Sequence, residues 1–151
     1  MTTYTVTSND TLTLNGNVFN DLAFDDVTNI TFPNELVNRK TGKNGNTVFA
    51  QNAQGFNGDL TLKLMRGSSD DQFMMGILNS QPADFPSTTL LAGTFVKRLG
   101  DGQGNVISDV YTLSGGVITK PVEGKENVSG DTAQGEAIYM VKFASAIRTI
   151  G

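Results

Sequence analysis

Histidine, cysteine and tryptophan are all absent from this chain of 151 residues. Without His or Cys there is no Ser-His-Asp or Cys-His nucleophilic site, no disulfide framework and no zinc centre built on those ligands. Basic residues are also in short supply, 11 Lys and Arg against 15 Asp and Glu, for a net charge of −4. Such a balance does not support a basic surface that grips nucleic acid. No apolar run approaches the roughly 18 residues that a membrane-spanning helix needs. The opening segment MTTYTVTSNDTLTLNG has neither a basic n-region nor an apolar h-region. The expectation is a soluble protein of the cytoplasm in which it is made, with no membrane partner. Asn9-Asp10-Thr11, Asn29-Ile30-Thr31 and Asn127-Val128-Ser129 then read as ordinary turn and strand residues rather than glycosylation acceptors.

What the chain does have is turn formers, 17 glycines among them, separating short alternating segments. Its length suits one domain, 1–151, with a real core. Strands are predicted at 3–7, 11–14, 27–32, 46–51, 58–66, 90–98, 105–113, 116–120 and 136–144, mostly as antiparallel sheet. The clearest hairpin joins LLAGTFVKR to NVISDVYTL through Leu99-Gly100-Asp101-Gly102-Gln103-Gly104, whose glycines can supply positive φ. Residues 33–47, PNELVNRKTGKNGNT, form a conspicuous loop that concentrates Arg39, Lys40 and Lys43. It reads either as a solvated hairpin tip or as a contact arm for a partner. Residues 121–135 are polar enough for a second long loop.

One segment breaks the β pattern. In NGDLTLKLMRGSSDDQFMMGILNS, Leu60, Leu62 and Leu64 share one face of a strand, and the period changes at Gly67. Ser69 and Gln72 have capping-box spacing, and Asp70 and Asp71 sit where the helix dipole favours negative charge. Phe73, Met74, Ile77 and Leu78 then fall on one side at helical spacing, and Asn79, Ser80 and Pro82 mark the stop. Gly76 costs this helix about 1 kcal/mol relative to Ala, so it must pack on something, and a sheet is the obvious partner. The final strand is apolar on both faces, Ile138 and Met140 on one, Ala137, Tyr139, Val141 and Phe143 on the other. Either the helix or another subunit covers its outer face.

Candidate chemistry is sparse. Gly100-Asp101-Gly102-Gln103-Gly104-Asn105 lacks the helix that a dinucleotide loop must enter, and Val106 stands where a calcium loop needs Gly. The pair Asp70-Asp71 belongs to the helix start, and Asp25-Asp26 reads as a turn before a strand. The expectation is therefore a non-enzyme, with no catalytic, cofactor-binding or metal residues and no cofactor.

The run GDLTLKLMRGSSDDQFMMGIL resembles the strand, Gly/Ser turn and short helix of the tail tube proteins of contractile-tailed bacteriophages. The resemblance extends over most of the chain: an early strand with LNG, a long polar hairpin around NRKTGKNGNTVFAQNAQGFNGD, a middle hairpin and a final apolar strand. It implies a mainly β fold, a β-sandwich or barrel of antiparallel strands with one short α-helix packed on it. It also implies a structural virion protein of the tail, assembled in the host cytoplasm into stacked hexameric rings whose lumen conducts the genome. The hairpin at about 33–47 would be the arm to an adjacent ring, with Arg39, Lys40 and Lys43 seeking carboxylates there. The chain itself, tail sheath, baseplate and tail terminator proteins are the implied partners, and DNA passes without specific binding. Six copies at −4 carry −24 per ring, which would repel phosphate if the acids face inward. Two other classes stay open, a tube-capping or baseplate adaptor of the same fold and a carbohydrate-binding β-sandwich. The latter is poorly served by no Trp and three Tyr.

Overall fold

The computed structural model describes all residues except 1, 2, 21, 23–26, 54, 125 and 127, and residues 7–10 by backbone alone. The expected turn at Asp25-Asp26 and the triplet beginning at Asn127 therefore lie outside the described residues. The protein is mainly β, with antiparallel strands and one α-helix, α1 (Ser69–Ser80). Its strands are β1 (Thr5–Leu14), β2 (Asn17–Val18), β3 (Thr28–Thr31), β4 (Val37–Thr41), β5 (Thr47–Gln51), β6 (Gly58–Met65), β7 (Leu91–Gly100), β8 (Val106–Ile118) and β9 (Glu136–Ile150). Seven form one sheet in the order β2-β1-β7-β8-β9-β6-β3, and β4 and β5 form a separate hairpin.

The sandwich arises because β9 is long enough to serve two half-sheets. Its first part pairs with β6 from Glu136 to Phe143, its second with β8 from Val141 to Ile150, so only Val141, Lys142 and Phe143 have strand partners on both sides. A strand that changes partners along its length is how one sheet turns a corner onto itself. Two glycines make room there. Gly58 and Gly116 both lie opposite Phe143, where a Cβ on Gly58 would strike Ala146 and one on Gly116 would strike the Phe143 ring. The halves share one core: Leu60, Leu62 and Leu64 from β6, Leu12 and Leu14 from β1, Leu91 and Phe95 from β7, Leu113 from β8, and Tyr139, Val141 and Phe143 from β9.

Several strands run further than the sequence pattern predicts. The segments expected at 3–7 and 11–14 are one strand, whose polar middle is a bulge: the β7 register shifts between Val6 and Asp10. Likewise 105–113 and 116–120 are one strand that passes through Ser114-Gly115-Gly116, with Gly115 at φ 67° where a turn was expected. The last strand continues beyond 144 to Ile150. Strand β4 occupies part of the expected loop at 33–47, and β2 is an addition. Asp101 Oδ1 accepts from the backbone N–H of Gln103 at 2.7 Å and of Asn105 at 3.2 Å, which closes the β7–β8 turn. Hydrogen bonds from Asn105 and Gln103 hold this carboxyl below its ordinary range.

Candidate assembly surfaces

Helix α1 is seated through its first turn. The cap is Ser68, one residue before the predicted Ser69. Its Oγ accepts from the N–H of Asp71 at 3.2 Å, and Asp71 Oδ2 accepts from the N–H of Gly67 at 2.8 Å. The correction has a simple cause: Gly67, at φ +83°, lets the chain turn one residue sooner, so Asp71 rather than Gln72 takes the reciprocal position. Gln72 instead donates to the Gly67 carbonyl at 3.3 Å.

The two acids of this turn do more than meet the dipole. Asp70, 3% exposed, accepts from the N–H of Asn20 at 2.8 Å and from Asn17 Nδ2 at 3.3 Å. Asp71 Oδ1 accepts from the Tyr139 hydroxyl at 2.6 Å. One helix end is thereby tied to the β1–β2 edge and to β9. Burial, reinforced by the bond to Asp71 and its charge, pushes the Tyr139 phenol well above its ordinary pKa. Just past the other end, the buried side chain of Gln81 imitates a strand partner, donating to the Ile118 carbonyl at 2.9 Å and accepting from the Ile118 N–H at 3.1 Å.

Of the predicted stripe, Met74 is fully buried, and Phe73, Ile77 and Leu78 are half-buried against the core, joined by Met75, which the sequence reading omitted. Phe73 meets Phe19 edge-on, ring centroids 6.1 Å apart. The helix binds the Tyr139 side of β9, so it is not what covers the opposite face. There Met140 is 41% exposed and Ile138 half-buried.

Arg39, Lys40 and Lys43 lie on the β4–β5 hairpin, in which every residue of both strands is exposed. Arg39 stands opposite Phe49 and Lys40 opposite Val48, while Lys43 occupies the turn. The turn is closed by Gly42 N–H to the Asn46 carbonyl at 2.8 Å, and the base by Asn52 N–H to the Leu36 carbonyl at 2.8 Å. Beside its polar Asn, Thr and Gln side chains, the hairpin presents three cations and the apolar Val37, Val48 and Phe49 to water.

The other notable surfaces are two sheet edges. Strand β1 pairs with β7 along its length but with β2 only at Thr13 and Leu14. Its outer edge over residues 5–11 has no strand beside it among the described residues. At the far side of the same half-sheet, β6 leaves β9 at Phe143, and the next bond is Ala146 N–H to the Phe56 carbonyl at 2.8 Å. Residues 147–150 of β9 have β8 on one side and no strand on the other among the described residues. The two open stretches overlap in level only at their ends, where Thr11, Val96, Val110 and Thr149 form one cross-strand row and Asp10, Lys97, Asp109 and Ile150 the next.

The face of this half-sheet that points away from the core is rich in hydroxyls. Thr13, Thr94, Thr112 and the half-exposed Ile147 form one row, and Thr11, Val96, Val110 and Thr149 the next. Asp109 is on the core side, where Arg148 Nε and Nη2 donate to its two oxygens at 2.8 and 2.9 Å. That hydrogen bond and charge raise the Arg148 pKa further. Among the described residues there is no group of three or more acidic side chains placed to hold a metal ion, and no helix long and apolar enough to cross a membrane. No protein-family model matches the chain, and no curated protein matches it.

Proposed function

We propose that this protein is a subunit of a phage tail tube, closing into rings that stack around a lumen through which the genome passes. The observation that carries the reading is the four-stranded half-sheet β1-β7-β8-β9, whose two outer edges are each open over part of their length among the described residues. Alternate residues of an edge strand aim their N–H and C=O groups outward, and an open edge recruits a strand. Four is an even number, so β1 and β9 run in opposite directions. A copy rotated about an axis along the strands brings its β1 antiparallel to the first copy's β9. Every seam then continues the antiparallel ladder, and a head-to-tail contact that closes covers the open stretches of β1 and β9.

In such a ring the hydroxyl-rich face turns inward. Passage of DNA would then rest on a surface with few cations to bind phosphate, rather than on the inward-facing acids expected earlier. The hairpin at about 33–47 serves as the inter-ring arm, its Arg39, Lys40 and Lys43 reaching acids of the next ring. A free two-stranded hairpin is at best marginally stable in water, which supports a role in which it is covered. Sheath, baseplate and terminator proteins are the further partners of this reading, with the virion tail as its location. Negative-stain microscopy and sedimentation velocity over a wide concentration range test it. Rings or hollow tubes are expected, and a monomer at every concentration would sink the proposal.

A further inference from the structure

The chain holds three Asn-Gly pairs, Asn15-Gly16, Asn44-Gly45 and Asn57-Gly58. In each, the peptide nitrogen of the glycine can reach the asparagine amide carbon by closing a five-membered ring, and the glycine has no side chain to stand in the way. The fold treats the three pairs differently. Asn15 is held by both atoms of its amide: Oδ1 accepts from the N–H of Ala92 at 3.0 Å, and Nδ2 donates to the Leu90 carbonyl at 3.3 Å. Asn57 leads directly into β6, where Gly58 is buried opposite Phe143, so closely packed that a Cβ there would strike Ala146. To close a ring at this pair, the first residue of β6 would have to leave the sheet.

Asn44-Gly45 lies in the turn between β4 and β5, where every residue from Gly42 to Asn46 is exposed. The Asn44 side chain makes no hydrogen bond among the described residues. Gly45 stands at φ +86°, with nothing within 4 Å of the place a Cβ would take. The attacking nitrogen is restrained by its own bond to the Gly42 carbonyl at 3.1 Å, and the turn by the bond from Gly42 N–H to the Asn46 carbonyl at 2.8 Å. Both belong to a two-stranded hairpin exposed along both strands. Such a hairpin is marginally stable in water and opens locally at little cost.

We propose that Asn44 is a self-modification site, converting to aspartate or isoaspartate in the free subunit ahead of Asn15 and Asn57. The Gly45 nitrogen attacks the Asn44 Cγ and forms an N–Cγ bond. The Cγ–Nδ2 bond breaks, and Nδ2 leaves as ammonia with the proton that the Gly45 nitrogen gives up. Water then opens the cyclic imide at either of its carbonyls. The net change is asparagine and water to carboxylic acid and ammonia, with nothing oxidised or reduced. Residues 37–51 hold three cations and no acid, so their net charge falls from +3 to +2, with the new carboxylate next to Lys43. The isoaspartyl product also lengthens the backbone of the turn by one carbon. This chemistry does not depend on the ring reading; on that reading, it weakens the arm's hold on acids of the next ring.

The test holds the dilute full chain in mildly alkaline buffer and follows all three pairs over time by peptide mass mapping, with an isoaspartyl methyltransferase assay to mark the isomerised product. The Asn44 peptide should show the amide-to-acid mass change roughly tenfold or more faster than the Asn15 and Asn57 peptides. Asn44→Gln should remove the main acidic species seen on ion exchange while leaving the melting curve unchanged. In concentrated urea the three pairs should react at similar rates, because the fold no longer distinguishes them. The proposal is overturned if Asn15 or Asn57 reacts as fast as Asn44 in the native chain, if the acidic species persists in Asn44→Gln, or if the native ranking survives in urea.

Discussion

Helix α1 and the β4–β5 arm flank β6 on either side in sequence, and they are held in opposite ways. The helix buries Met74 completely and Asp70 almost so, and it is bonded to the β1–β2 edge and to β9. The arm buries nothing in either strand and is held by its own ladder, turn and base. Both carry charge at the tip, yet the acids of the helix start are spent inside the molecule and the cations of the arm face water. The difference separates residues that make the fold from residues available to something outside it.

Four variants sharpen or break that contrast. Met74→Ala, at the most buried point of the helix, should cost about 2–5 kcal/mol through lost transfer energy and a residual cavity. Phe73→Ala should cost less than the ~3–5 kcal/mol of a fully buried ring, because Phe73 is only half-buried. Denaturant melts of both variants check this, and an unchanged midpoint for Met74→Ala would mean that the helix does not belong to the core.

Tyr139→Phe removes one bond to a carboxylate and should cost about 1.5–3 kcal/mol near neutrality. It also carries a pH signature. The fold raises the phenol above its ordinary pKa of 10.0, so it favours the neutral form. The stability that this confers is fully present below pH 10 and is lost as the pH rises above 10 toward the folded-state value. The gap between wild type and Tyr139→Phe should therefore shrink at pH 11. A gap that widens would show that the hydroxyl is not what couples β9 to the helix.

The smallest effect on stability is expected at the arm. Replacing Arg39, Lys40 and Lys43 together by Ser should stay within about 0.5 kcal/mol of wild type, as exposed sites usually do. The same variant should form fewer stacked rings. Circular dichroism against tube yield separates the outcomes: a joint collapse would make the arm part of the fold, and no change in either would make it a bystander.

The helix was legible to within a residue because its signals are local. A Gly-Ser turn, two acids and an apolar stripe sit within a dozen positions, and only the cap moved, from Ser69 to Ser68. The destinations of those acids were not legible. Asp70 meets residues 50 positions earlier and Asp71 a tyrosine 68 positions later. Gln81, which lies between the Ser80 and Pro82 of the expected helix stop, carries no signal of its own, although its amide completes the end of β8. Strand breaks were over-predicted for a related reason. Ser8-Asn9-Asp10 and Ser114-Gly115-Gly116 have turn composition, but each is a bulge within one strand, whose pairing with β7 resumes on the other side.

The composition and the alternation of leucines were enough to determine a mainly β chain with one helix, an exposed segment rich in cations, and chemistry stripped of His and Cys. Those properties follow from residue type and from periods of 2 and 3.6, which need no distant partner. What only the tertiary structure decided is where pairing stops: that β6 leaves β9 at Phe143, that β2 covers just two residues of β1, and that an apolar groove lies beside one of the resulting gaps. An unpaired edge is a property of two strands and the absence of a third, so no single stretch of residues can announce it.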